Sequence, residues 1–311
     1  MRRIRRLTAT AICSLMALAA VSSCGGASGA GDGLIRAAVS VLPQKYFLER
    51  VGGDRIRVTV VVPPGANPAT YEPAPSDMRT MSDTRFWFTV GVAFEETWIP
   101  RFRGSNPDLI VVSTVEGLER LPIDRYSIEH SAGGGGRNTG HGGHSHGEGS
   151  PDPHVWLSPE LVKHQARIMA ETLASMDTTA SDLYMENLEG FLREIDSLQA
   201  GIHSALDTLE SRSFMVFHPA WGYFADEFHL VQVPVESGGS EPSPGELADL
   251  VDYARQHGIE RVFVSPQFST SAAEAIAAEL DGEVAVMDPL AEDWTGNLLR
   301  VAEVLAGGAR R

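Results

Sequence analysis

Five of the chain's ten histidines lie between residues 130 and 156, in the stretch HSAGGGGRNTGHGGHSHGEGSPDPHVW. Four of them (His130, His141, His144 and His146) lie within or beside a run rich in glycine, and the segment has too few apolar residues to pack. We therefore predict a histidine- and glycine-rich loop over residues 130–150. Its closely spaced histidines at 141, 144 and 146 could wrap one metal ion transiently. The alternative is a tolerated polar insertion with incidental metal affinity.

Three further side chains have the chemistry of metal ligands. His154 follows directly after the glycines stop, His218 ends the apolar run SFMVFHP, and Asp288 ends EVAVMDPL. Neutral imidazole and carboxylate together suit Zn²⁺, Mn²⁺ and Fe²⁺. Each signal is weak alone, because a histidine at a strand end is often a hydrogen-bonded structural residue and Asp288 could simply begin a turn.

The elements that must position these side chains alternate between strands and helices. Eight apolar, β-branched runs are separated by mostly helical patterns, which is typical of parallel sheets covered on both faces. The runs fall into two sets, residues 34–43, 56–64, 85–91 and 108–114, then residues 213–219, 230–238, 261–267 and 283–290. We predict an α/β fold with two lobes. Ligands of such sheets bind beyond the carboxyl ends of the strands, which is where His218 and Asp288 fall.

One long helix is predicted between the two sets of strands, over residues 181–210. Its apolar side chains recur at spacings of three and four and are Leu188, Phe191, Ile195, Leu198, Ile202, Leu206 and Leu209. At 1.5 Å per residue this helix would be about 45 Å long, so it could span both lobes as a rigid spine. The alternative is two helices broken at Gly190 or Gly201. The lobes would then be residues 34–180 and 211–311, with a metal cleft between them.

The amino terminus has the features of an export signal. Four arginines precede an apolar run of about fifteen residues that is too short to span a bilayer comfortably, and VSSC follows. The cysteine after small residues resembles the lipobox of bacterial lipoproteins, which would make residues 1–23 a signal peptide and Cys24 the lipidated residue. The alternative is an ordinary signal peptide with a chance cysteine. Residues 24–33 are then a glycine-rich tether, and Cys13, the other of the chain's two cysteines, would leave with the signal.

The charge of the chain is acidic. The formal net charge is −16, and loss of the four signal arginines would bring it to −20. An acidic chain without basic runs argues against binding to nucleic acid. It could raise the local concentration of cations weakly, although simple solubility explains the charge equally well.

Five motifs, in order, resemble those of a known family. They are PGANPATYEPAPSDM (64–78), DPHVWLSPE (152–160), FHPAWGYFADEF (217–228), ESGGSEPSPGEL (236–247) and DPLAED (288–293). From about residue 35 to the end, the chain is similar to the ZnuA-related metal-binding lipoproteins that feed ABC importers. The resemblance implies two α/β lobes joined by a long helix, and it makes His154, His218 and Asp288 the second, third and fourth metal ligands. Family members with a histidine-rich loop at this place are mostly zinc proteins.

The first ligand of the family has no counterpart. The family usually has a histidine after the proline of NPATYEP, and this chain has Ala69 there. Three explanations compete: three protein ligands with water or an anion in the fourth position, a histidine donated by the 130–150 loop, or the loss of tight metal binding in a protein that carries another solute. We favour the first, with the loop as an occasional donor. Three protein ligands with water also describe catalytic zinc, so a zinc metallohydrolase remains an alternative, although no HExxH motif is present.

The function predicted from these features is metal capture outside the cytoplasm. The resemblance implies a lipid-anchored, monomeric solute-binding protein that is not an enzyme and that delivers Zn²⁺, with Mn²⁺ or Fe²⁺ as alternatives, to an ABC permease and its ATPase. A metal-dependent adhesin is a further alternative.

Overall fold

The computed structural model describes residues 33–123, 125, 150–209, 211–236, 239–268 and 270–307. The signal peptide, Cys24 and the loop histidines (His130, His141, His144 and His146) lie outside these residues, so their predicted roles stay predictions. From residue 34 onward the chain forms one compact unit. Within the described part, no helix is both long enough and apolar enough to cross a membrane.

The first sheet is built from β1 (Ile35–Val39), β2 (Ile56–Val60), β3 (Phe86–Thr89) and β4 (Ile110–Ser113). The strands are all parallel and lie in the order β2-β1-β3-β4. The helices of this lobe are α1 (Leu42–Gly52), α2 (Pro75–Ser82) and α3 (Ala93–Ser105). Because every strand runs the same way, all four carboxyl ends meet at one edge of the sheet.

Two long helices follow, α4 (Pro159–Met176) and α5 (Ser181–Leu206). Ser158 begins α4 as an N-cap, because its hydroxyl accepts a hydrogen bond from the backbone N–H of Leu161, and this satisfies one of the free donors of the first turn. Pro159, whose missing N–H costs nothing at this position, starts the helix.

Helix α5 is continuous through both of its glycines, so the alternative of two helices is wrong. A methyl group on Gly201 would lie only 3.0 Å from a methyl of Leu299, and glycine therefore permits the close approach of another helix. The helix ends at Leu206, four residues before the predicted end at residue 210. The backbone N–H of Leu209 bonds to the carbonyl oxygen of Leu206, a turn that closes the helix, while Leu209 itself still packs against the core.

The second sheet repeats the arrangement of the first. Its strands are β5 (Ser213–Val216), β6 (Val231–Pro234), β7 (Arg261–Val264) and β8 (Glu283–Val286). They are parallel, in the order β6-β5-β7-β8. The helices are α6 (Gly222–Glu227), α7 (Pro244–His257), α8 (Ser271–Glu279) and α9 (Trp294–Leu305). The predicted fold, two parallel α/β lobes with one long helix between them, is confirmed.

The apolar face of α5 lies within a single core that includes side chains of both lobes. Buried side chains from β1, β3, α1, α4 and α9 belong to this cluster together with the α5 stripe. A second, smaller cluster fills the space between the second sheet and α7 and α8. The long helix is therefore part of the core of both lobes and is not an exposed linker.

Candidate metal site

The predicted ligands lie where the two sheets end. His218 follows the last residue of β5 by two positions, and Asp288 follows the last residue of β8 by two positions. His154 lies just before a short 3₁₀ turn, Val155–Leu157, that leads into α4. All three are thus at the carboxyl ends of strands or in the connection beside them, as the parallel topology requires.

His154 is held by the residue two positions before it. Its ring Nδ1 is 2.7 Å from Oδ1 of Asp152, and the same oxygen accepts the backbone N–H of His154 at 2.9 Å. Both residues are buried. The ring also contacts the edge of Trp156, with centroids 5.2 Å apart. The orientation of this imidazole is therefore fixed by one carboxylate and one aromatic ring.

His218 is held in the same way by a residue distant in sequence. Its Nδ1 is 2.5 Å from Oε1 of Glu236, which is also buried. Glu236 follows β6, the strand next to β5, so neighbouring strand ends bring the pair together. The imidazole stacks on the ring of Phe268 at a centroid distance of 4.6 Å.

The two imidazoles make the same hydrogen bond, because an ionised carboxylate can only accept. The N–H at each Nδ1 therefore donates a hydrogen bond to its carboxylate, and in a neutral imidazole the lone pair then lies on Nε2. This arrangement, a carboxylate behind a histidine, is the usual support of a metal-binding imidazole and raises its basicity.

The distance between the rings fits two ligands of one ion. The centroids of His154 and His218 are 5.2 Å apart, with an interplanar angle of 75°. Two imidazoles on one tetrahedral Zn²⁺, with Zn–N distances of about 2.0–2.1 Å, would have centroids about 5 Å apart. The pair is thus spaced for a shared cation, with one ring contributed by each half of the chain.

A small cavity of about 30 Å³ opens between the two rings. That volume holds one or two small species such as a metal ion and a water molecule. Its wall includes, besides the two histidines, Asn67, Pro68, Ala69, Trp156, Gln267, Phe268 and Leu290. Ala69 therefore presents a methyl group where the family usually has its first histidine. Its backbone N–H bonds to Oδ1 of Asn67 at 2.8 Å.

Asp288 lies beside this cavity and not in its wall. It lines a neighbouring cavity of about 80 Å³ together with Gly65 and Glu292. Its Oδ1 accepts hydrogen bonds from Nε2 of Gln267 at 3.1 Å and from the backbone N–H of Leu290 at 2.9 Å. In the part of the chain that the structure describes, no three His, Cys, Asp or Glu side chains are grouped to hold one ion. The structure thus brings His154 and His218 together and places Asp288 next door.

Gln267 lines both cavities, as does Leu290. The amide nitrogen of Gln267 donates a hydrogen bond to Asp288, while its Oε1 is buried and has no hydrogen-bond partner among the described residues. An orphaned acceptor is costly. An apolar side chain at position 267 would remove both this unsatisfied oxygen and the amide donor to Asp288.

Hydrogen bonds between the halves of the chain fix the site. The indole N–H of Trp156 donates to the carbonyl oxygen of Pro289, and the indole N–H of Trp294 donates to that of Trp156, both at 2.7 Å. The hydroxyl of Tyr223 donates to the carbonyl oxygen of Asp152 and accepts the N–H of Leu121, both at 3.0 Å. Burial raises the pKa of Tyr223, so its hydroxyl keeps the proton that it donates.

Sequence reasoning did not single out Asp152 or Glu236 as supports of the histidines. For Asp152 a signal was present, because the spacing of Asp-Pro-His lets the carboxylate fold back on the imidazole. Glu236 could have been found only by predicting that β5 and β6 are neighbours, since 18 residues separate it from His218.

Two α/β lobes around a small cavity lined by paired imidazoles define a two-lobed binding protein of the metal-binding type. The family model described as "Zinc-uptake complex component A periplasmic" matches residues 38–306, and the chain belongs to this family. The chain is 28% identical to the manganese-binding lipoprotein MntA of Halalkalibacterium halodurans, covering 83% of this chain and 81% of that protein.

Two further relatives agree with this assignment. The high-affinity zinc uptake system protein ZnuA of Bacillus subtilis is 27% identical, covering 90% of this chain and 86% of that protein. A crystal structure of ZnuA superimposes with a TM-score of 0.78 at 38% identity, covering 88% of this chain and 98% of the other.

Proposed function

We propose that this protein captures a divalent transition-metal ion, zinc in preference to manganese or iron, outside the cytoplasm and delivers it to an ABC importer. The protein does this without making or breaking covalent bonds in its cargo. His154 and His218 are the proposed nitrogen ligands and Asp288 the proposed oxygen ligand. The histidines of the 130–150 loop at 141, 144 and 146 are accessory contacts.

The pair of carboxylate-supported imidazoles carries the proposal. A histidine that serves only the fold has no need of a free, oriented Nε2 facing a second such nitrogen across a cavity. Both supporting carboxylates are buried and engaged with Nδ1 atoms. Two neutral imidazoles turned toward one cavity repel no cation and supply two nitrogen ligands.

The choice of zinc depends on the kinds of ligand atom. Mn²⁺ prefers oxygen ligands, and imidazole nitrogen suits Zn²⁺. Among the described residues near the two rings, the carboxylates of Asp152 and Glu236 are engaged with Nδ1 atoms, and Asp288 in the neighbouring cavity is the acidic side chain proposed to bind the ion. Relatives include proteins named for zinc and for manganese, and the nitrogen-rich site favours the former.

Asp288 must move to complete the site. In the structure its carboxylate is held by Gln267 and the backbone of Leu290. We propose that the ion draws it from the neighbouring cavity, and that water or an anion takes the position left by Ala69. Capture then favours one arrangement of the lobes, which the permease recognises. Because α5 belongs to the core of both lobes, that change is a small tilt.

The remaining parts of the proposal concern location. Residues 1–23 are the export signal, Cys24 carries the lipid and residues 24–33 tether the lobes to a bacterial membrane on the periplasmic or cell-surface side. The protein acts as a monomer, and its partners are the ion, the permease and the ATPase behind it.

Elemental analysis and zinc titration test the function. The chain is purified without a histidine tag, stripped with a chelator and titrated with zinc against a competing chromophoric chelator. One tight equivalent is expected. His218→Ala and His154→Ala should each weaken zinc binding by more than about 100-fold. Loss of a residue that only supports a metal ligand costs about 10–100-fold, and loss of the ligand itself should cost more.

The matched control is His257→Ala, which removes an exposed histidine stacked on Tyr253, and it should leave the affinity unchanged. Deletion of residues 131–149 should remove only weak, additional zinc equivalents. The proposal fails if purified protein holds no stoichiometric metal, or if the tight site survives both cavity substitutions.

A further inference from the structure

Three arginines occupy neighbouring positions across the amino ends of three adjacent strands. Arg36 in β1 is paired in register with Arg57 in β2. Arg85 comes just before β3, and its backbone N–H bonds to the carbonyl oxygen of Arg36 at 2.8 Å. All three residues are exposed. Residues in register on neighbouring strands point to the same face of a sheet, so the three side chains leave the sheet on one face, where the guanidinium of Arg85 also donates to the carbonyl oxygen of Asp108 at 3.2 Å.

A fourth arginine joins two of these in a pocket. Arg79 of α2 lines, with Arg36 and Arg57, a surface pocket of about 300 Å³ whose lining includes a single acidic residue, Asp83. The ion pair between Asp83 and Arg36 is 3.4 Å long and solvent-exposed, so it is worth little. We call Arg36, Arg57, Arg79 and Arg85 the basic edge.

The positive charge of the basic edge contrasts with the acidic composition of the chain, which has 41 acidic and 25 basic residues. Like charges placed side by side on adjacent strands destabilise a sheet. A cluster that costs stability in an acidic protein indicates an anionic ligand. Guanidinium groups bind phosphate in a planar, two-pronged fashion, and a pocket of this volume has room for a phosphate group.

The position of the basic edge indicates where that phosphate comes from. The carboxyl ends of the strands hold the metal cavity, so the basic edge is on the opposite side of the same lobe. The chain also enters the lobe here, because Leu34 directly precedes β1. Ten residues, 24–33, connect Leu34 to Cys24, and a chain of that length reaches at most about 35 Å.

We propose that the basic edge binds the phosphate groups of anionic phospholipids and docks the N-terminal lobe on the membrane that carries its anchor. This inference depends on the lipid anchoring at Cys24 that is part of the proposed function. Docking through this side leaves the metal cavity, on the opposite edge, turned away from the bilayer and open to incoming ions. Delivery to the permease then requires release of the basic edge.

Vesicle partitioning tests the inference. The chain from residue 25 onward, which retains the compact unit of residues 34–311 and lacks the anchor, is sedimented at low ionic strength with two kinds of vesicle. Those containing phosphatidylglycerol should bind it, and those of phosphatidylcholine alone should not. The double variant Arg36→Gln/Arg79→Gln should lower the partition coefficient about 25-fold, since each arginine near an anionic surface contributes about fivefold.

The matched control is Arg255→Gln/Arg300→Gln, which makes the same change in charge at two exposed arginines of α7 and α9. It should change partitioning less than about twofold. Equal partitioning into both vesicles, or an equal loss in the control, would overturn the inference. So would calorimetry that finds inorganic phosphate bound at the basic edge without any preference for phosphatidylglycerol.

The same proteins separate this inference from the proposed function. Arg36→Gln/Arg79→Gln should bind zinc as the unsubstituted chain does. An unsubstituted chain that binds no zinc would refute metal capture and leave the vesicle result standing. Metabolic labelling with a fatty acid tests the anchor at Cys24 independently of both.

Discussion

The imidazoles of His154 and His218 lie in a T-shaped arrangement with centroids 5.2 Å apart, and Nδ1 of each ring is hydrogen-bonded to a buried carboxylate. The first carboxylate is two residues from its histidine, whereas the second reaches its histidine from a neighbouring strand. The same carboxylate–histidine pair thus occurs twice, once between residues close in sequence and once between residues that the sheet brings together.

Glu236→Gln should weaken zinc binding by about 10–100-fold. The amide keeps the shape of the side chain but removes the charge that orients the Nδ1–H of His218 and raises its basicity. Competition titration with zinc measures the effect. Glu241→Gln, at an exposed position of the same connection, is the control and should bind as the parent does. Equal affinity in both variants would mean that His218 is not a ligand.

Ala69→His should tighten zinc binding by at least about tenfold, or about 1.4 kcal/mol. The side chain at this position points from the wall of the cavity shared by the two histidines, so an imidazole there supplies the ligand that the chain lacks. Thr70→His adds the same group at the exposed neighbouring position and should have no such effect. A tighter site in both variants would indicate adventitious binding by the new histidine.

Gln267→Leu should also tighten zinc binding, by about tenfold. The substitution removes the amide N–H that competes for the Asp288 carboxylate, and a hydrogen bond to a charged group is worth about 1.5–3 kcal/mol. The same titration measures the change. In an Asp288→Asn background the gain should disappear, because no carboxylate remains to be released. A gain that persists there would show that Asp288 takes no part in binding.

Ionisation of the buried Glu95 carboxyl should lower the free energy of unfolding as the pH rises. Burial raises the pKa of this carboxyl from 4.5 to about 7, although the backbone N–H groups of Val90 and Gly91 bond to it. The folded state therefore binds more protons than the unfolded state between these values, and the free energy of unfolding falls from about pH 4.5 to about pH 7 by up to about 3 kcal/mol.

Urea unfolding at pH 5 and pH 8 measures this loss. Glu95→Gln cannot ionise, so the part of the pH dependence due to residue 95 should vanish in that variant. Glu96→Gln, at the exposed neighbouring position, should retain it. Identical pH dependence in all three proteins would contradict the assignment.

Much of the fold follows from the sequence for physical reasons. Each of the eight apolar runs contains a strand, as expected for parallel sheets covered on both faces, although the outer strand β8 has no buried residue. The α5 stripe persisted through Gly190 and Gly201 because burial along one face outweighs the cost of a glycine in a helix, about 1 kcal/mol. The predicted end of the helix was wrong by four residues, since Leu209 continues the apolar spacing from within a turn.

The site was less predictable than the fold. Strand ends correctly indicated where His218 and Asp288 lie, but not that Gln267 holds Asp288 in the adjoining cavity. That contact depends on the path of the connection that follows β7. The spacing of apolar residues predicts helices and strands but not the path of such a connection. The assignment of His154, His218 and Asp288 as ligands stays a prediction until metal binding is measured.

The apolar stripe of α5 is buried in one continuous cluster with side chains of both lobes. This shared core has an evolutionary consequence. Exchanging either half of the molecule for that of a relative would disturb the packing of this shared core. Substitutions in one half must therefore be matched by substitutions in the other. Connections that make no contact with this shared core are free of the constraint, so they can gain or lose residues while the scaffold stays intact.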